Sequence, residues 1–66
     1  MTNTDAIKNT LRHARHPMTT MEIATENPEL DQNQVLGGIA LLFGHCEIEW
    51  VAGEGAVDPG WQLIGR

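Results

Sequence analysis

The chain is predicted to be a mostly helical α+β domain, three helices followed by a β-hairpin, on three observations. Apolar residues recur at helical spacing in three stretches, and these stop at Pro17, at Asn27-Pro28 and at Gly44. Two of the stretches open on capping-box signatures, Thr19-Thr20-Met21-Glu22 and Asp31-Gln32-Asn33-Gln34. After Gly44 the apolar period changes from 3.6 to 2, and a glycine-rich loop separates two alternating runs.

The first helix is expected over residues 4–15, capped by Thr2 or Thr4 and stopped by Pro17. Asp5 suits the positive end of its dipole, and Arg12, Arg15 and His16 suit the other. Ile7, Leu11 and Ala14 form its buried stripe, with Thr10 at the edge. Met18-Thr19 is a connector with room for a single bridging residue. The second helix is expected over residues 20–26, burying Ile23 and Ala24, and Leu30 plugs the turn that follows.

The third helix is expected over residues 32–43, with Leu36, Ile39, Ala40 and Phe43 as its core face and Gly44 as a left-handed stop. Its solvent face is then Gln34, Gly37, Gly38 and Leu41, with Asn33 and Leu42 at the margins. Cys46, Ile48 and Trp50 alternate with Glu47, Glu49 and Val51 as a half-buried strand. Residues 52–60 form the loop, and Trp61 and Leu63 face inward from the returning strand. Trp50 and Trp61 are expected to pair across the hairpin.

Length and charge bound the function. Sixty-six residues make one domain with one small core. Association that buries more apolar area would add to its stability. Lys8, Arg12 and Arg15 form one stripe of the first helix, and eight of the nine carboxylates follow Pro17. A net charge of −5 favours solubility and opposes non-specific attraction to polyanions. One cysteine makes no internal disulfide, the start of the chain is polar and unlike a secretory signal, and the apolar run 35–43 is about half a membrane span. A cytoplasmic, soluble protein with no membrane partner is expected.

The order of helix, helix, short turn, helix and hairpin resembles the winged helix-turn-helix family. Met18-Thr19-Thr20-Met21-Glu22-Ile23-Ala24 resembles the entry to that family's second helix, and residues 35–50 resemble its third helix running into the first wing strand. The resemblance covers about residues 5–64 and implies a three-helix domain with a two- or three-stranded wing. It also implies that the third helix enters the DNA major groove, where Gln32, Asn33 and Gln34 would read bases and the first helix would supply phosphate contacts.

The charge map opposes that use. Affinity for duplex DNA comes largely from Lys and Arg on phosphates. The third helix has neither, and the wing loop carries Glu54 and Asp58. The expectation is therefore a non-enzymatic regulatory or accessory module that binds another protein, or a second copy, through Gln34, Gly37, Gly38 and Leu41. Lys8, Arg12 and Arg15 are the surface for an anionic partner, and DNA binding is the alternative. No metal or cofactor is expected: His13 and His16 at i, i+3 and the adjacent His45-Cys46 make no complete ligand set. Nor is a small-molecule substrate, because so thin a core rarely encloses a pocket. Cys46 is read as a small buried hydrophobe, and Glu47 and Glu49 as outward solubilising groups.

Overall fold

A computed structural model describes residues 2–53, 55 and 58–64. The elements are α1 (Asn3–His13), α2 (Thr20–Glu26), α3 (Gln32–Gly44), β1 (Ile48–Val51) and β2 (Gly60–Leu63). The strands pair as an antiparallel hairpin after the helices, which is the winged-helix arrangement the sequence predicts.

All three helices begin on reciprocal capping boxes: Thr2 with Asp5, Thr19 with Glu22, and Asp31 with Gln34. In each, the cap side chain accepts the N3 amide while the N3 side chain accepts the cap amide, so two of the four orphan donors are satisfied. These contacts hold the Asp5 and Glu22 carboxyls below their ordinary range, through the Thr2 hydroxyl first for Asp5 and the Thr19 backbone first for Glu22. A carboxyl depressed in the fold stabilises it above the ordinary value, and the contribution disappears as pH falls through the folded value. The melting temperature should therefore drop on acidification below about pH 4.5, and Glu22→Gln, which keeps the box, should flatten that drop in a calorimetric pH series.

α1 ends two residues before the predicted stop. Ala14 turns to an extended conformation so that the chain can bring Met18 beside β2. There the Met18 amide donates to the Trp61 carbonyl at 3.0 Å and the Trp61 amide to the Met18 carbonyl at 2.7 Å, closing a one-residue antiparallel bridge. Pairing with β2, rather than Pro17 alone, places the stop.

The core comprises Ile7 and Leu11 of α1, Met18, Ile23, Val35, Ile39 and Leu42 of α3, and Ile48, with Ala14, Ala24, Leu30, Trp61 and Leu63 packed against it. The third helix is turned relative to expectation. Leu36, Phe43 and Ala40 face outward, while Val35, Gly38 and Leu42 face in beside Ile39. The reason lies at Gly38, where a Cβ would come within 2.5 Å of Ile7 Cδ1. Ile7 fills the notch left by the missing side chain, and that contact draws the Gly38 face of α3 onto α1. Trp50 is likewise half exposed rather than in the core.

Gly44 is not the left-handed stop. It is the last helical residue, and the left-handed residue is Cys46, with φ 58°. The Glu47 amide donates to the Leu42 carbonyl at 2.9 Å and the Cys46 amide to the Phe43 carbonyl at 3.1 Å. This is the Schellman closure, with a cysteine where glycine usually stands. Cys46 is consequently exposed and outside the strand, contrary to the alternation read from the sequence. Left-handed backbone costs a residue with a Cβ about 1–2 kcal/mol. Cys46→Gly should therefore raise stability by about 0.5–1 kcal/mol in urea titrations, after glycine's greater unfolded-chain entropy is set against the relief.

Asn27, the buried polar side chain among the described residues, joins the first two helices. Its Nδ2 donates to Thr10 Oγ1 at 2.9 Å and to the Ile23 carbonyl at 2.8 Å. Both amide protons are thus used, so burying the group leaves no donor unsatisfied.

Candidate docking face

α3 carries no charged side chain along its whole length and is apolar on almost every side. Such a helix is ordinarily covered all round. Here the half opposite the core lies open. At 100° per residue, Gln32, Leu36 and Phe43 share one margin of that half. Asn33, Gly37, Ala40 and Gly44 run along its middle, and Gln34 and Leu41 share the far margin.

The first margin continues onto the hairpin through an aromatic row. Trp61 lies edge-to-face with Phe43, ring centroids 5.5 Å apart at 67°, and with Trp50, 5.2 Å apart at 74°. Trp50 and Trp61 are direct cross-strand partners, as predicted. Trp61 Nε1 donates to Thr20 Oγ1 at 3.3 Å, tying the row to the start of α2. Beyond Trp50, a groove of about 620 Å³ runs between α2 and α3, lined by Met21, Ala24, Gln32 and Val35 among others. At the far margin, Leu41, Gln34 and Asn33 face residues 2–4 at the start of α1 across a shallow trough.

The predicted partner residues separate accordingly. Gly37 and Leu41 are exposed on the open half, with nothing within 4 Å of a Cβ built at Gly37. Gly38 is buried under Ile7 and is packing, not docking surface. Gln34 is exposed, but its Oε1 accepts the Asp31 amide at 2.8 Å, so the side chain is committed to the cap. Gln32 and Asn33 are exposed at the same helix end, beside the Asp31 carboxylate. The large apolar residues Leu36, Phe43, Trp50 and Met21 are exposed and were missed as surface. For Leu36 and Phe43 the signal in the sequence was a helix apolar all round with no charge to mark an outer face.

The cationic stripe is also redistributed. Lys8 Nζ pairs with Glu47 Oε1 at 2.9 Å, partly buried, so that charge is neutralised within the fold. Glu47 is thereby a structural partner of α1 rather than a purely outward group. Arg12 and Arg15 gather with His13 and His16 around the end of α1, above Pro17, Trp61 and Gln62, in an open groove of about 740 Å³. His13 Nδ1 lies 2.9 Å from the Asn9 carbonyl and His16 Nδ1 2.7 Å from the Pro17 carbonyl. A carbonyl only accepts, so these contacts place the proton on each Nδ1 and leave Nε2 to the surroundings.

Among the described residues no three histidine, cysteine or carboxylate side chains converge on a metal position. Also among them, no helix is long and apolar enough to cross a membrane. Glu54 of the predicted wing loop lies outside the described residues. No protein-family model, no curated protein and no solved structure matches the chain.

Proposed function

We propose that this chain is a non-enzymatic, cytoplasmic interaction module of winged-helix type whose partner surface is the open half of α3 together with Trp50. The observation that carries the reading is the pairing of an uncharged, exposed helix face with a half-exposed tryptophan beside it. Aromatic anchors amid depleted charge are the composition of the centre of a protein–protein interface.

The competing reading is a DNA binder that reads bases with α3, and the exposure of Gln32 and Asn33 speaks for it. Three features speak against it. Gln34 is held in the cap, the Asp31 carboxylate stands at the helix end that would meet DNA, and the Arg12–Arg15 cluster lies at the end of α1 instead of on α3. Anisotropy of a labelled mixed-sequence duplex separates the two. The interaction module is expected to give no saturable binding at low salt. Tight binding that collapses steeply toward physiological salt would reverse the assignment. In that event Asn33→Ala should relax sequence preference and Arg12→Ala should weaken binding uniformly.

A further inference from the structure

We infer that the partner seated on the open half of α3 is a second copy of the same chain, packed about a two-fold axis with the two α3 helices crossing near Gly37 and Ala40. The inference rests on the reading of this face as a protein-docking surface and names its occupant.

Area is the first argument. Leu36, Leu41, Phe43 and Trp50 are 46%, 56%, 55% and 50% exposed. With Met21 they present on the order of 500 Å² of apolar surface, near the upper end for the largest patch on a monomer. A standard interface buries about 800 Å² per partner, of which about 56–65% is apolar, or about 450–520 Å². The face matches what one side of a stable dimer needs.

Charge is the second argument. About a two-fold axis the same patch serves both subunits, so side chains near the axis meet their own counterparts. A lysine or carboxylate there would meet its own sign. This face has neither anywhere from Gln32 to Gly44, and its polar groups are amides: Gln34 is engaged in the cap, while Gln32 and Asn33 can donate to and accept from their own kind. A different partner is ordinarily selected by complementary charge, and α3 offers none. The middle of the face, Gly37 and Ala40 between the walls of Leu36 and Phe43 on one side and Leu41 on the other, lets a second α3 backbone approach closely.

Sedimentation equilibrium of the purified chain over a wide concentration range tests the inference. The expected mass is about twice 7.3 kDa when concentrated, falling toward 7.3 kDa on dilution. Ala40→Lys, at an exposed helical position, should leave the far-ultraviolet circular dichroism unchanged and weaken the dimer at least about 100-fold, because it puts like charges at the crossing. Gly37→Ala should raise the melting temperature of the dilute monomer yet weaken the dimer about tenfold through overpacking. A wild-type chain that stays at 7.3 kDa at every soluble concentration overturns the inference. So does a dimer whose affinity neither substitution changes. Either result leaves the docking-face reading to stand or fall on the DNA titration.

Discussion

Gly60→Ala is expected to be the most damaging small substitution in the chain, lowering stability by about 3 kcal/mol. A Cβ at Gly60 would lie 2.5 Å from the Met18 amide nitrogen, 2.6 Å from the Met18 carbonyl carbon and 2.7 Å from the Pro17 carbonyl carbon. All three are backbone atoms, and none can swing aside as a side-chain terminus does. Relief requires the connector to move off β2, which breaks the two hydrogen bonds between Met18 and Trp61. A domain of 66 residues has on the order of 3–10 kcal/mol in total, so the variant should lose between about a third and all of its stability. Urea titration followed by circular dichroism checks this, with Gly44→Ala as the control. A Cβ at Gly44 meets open space, and that variant should match or exceed the wild type. A Gly60→Ala protein as stable as the control would show that the connector does not need its contact with β2.

Trp61→Ala should cost about 3–5 kcal/mol, because this side chain joins three segments and its backbone a fourth. It stacks edge-to-face on Phe43 and Trp50, donates to Thr20, and its backbone holds Met18. Each aromatic pair is worth about 0.5–1.5 kcal/mol beyond its buried area, and both are lost together. Trp61→Phe keeps an aromatic edge for each neighbour and loses the Thr20 bond, so it should cost less than half as much. If the two substitutions prove equally mild in thermal denaturation, the aromatic row is a surface feature rather than a brace.

The architecture was legible because local chemistry repeats its message. Two capping boxes, the cap at Thr2 or Thr4, Pro17, Asn27-Pro28 and the switch to alternation after Gly44 mark element boundaries within one or two residues. The rotation of α3 was not legible. In a helix with apolar residues on every side, Leu36-Ile39-Ala40-Phe43 and Val35-Ile39-Leu42 are both acceptable stripes. What decides between them is the fit of Ile7 into the notch at Gly38, a contact between residues 31 positions apart in which one partner has no side chain to announce it. The same rotation moved Phe43 and Leu36 from expected core to exposed surface. Cys46 was misread for a related reason. A left-handed cysteine looks, in sequence, like the first member of the alternating run that follows it. The pairing of Lys8 with Glu47 was equally hidden, since it spans the chain from α1 to the residue before β1.

The two tryptophans give the molecule an optical signature of its own. Trp50 and Trp61 lie 5.2 Å apart, ring edge to ring face, with no other residue of their kind in the chain and no tyrosine to obscure them. Rings held that close couple their electronic transitions, and the coupling vanishes when the strands separate. One indole is half open to solvent at the margin of α3 while the other is braced beneath it. The emission maximum therefore responds to whatever covers that margin, and the exciton couplet to whether the hairpin is closed. Two events, masking of a surface and loss of the fold, can be followed separately in the same unlabelled sample.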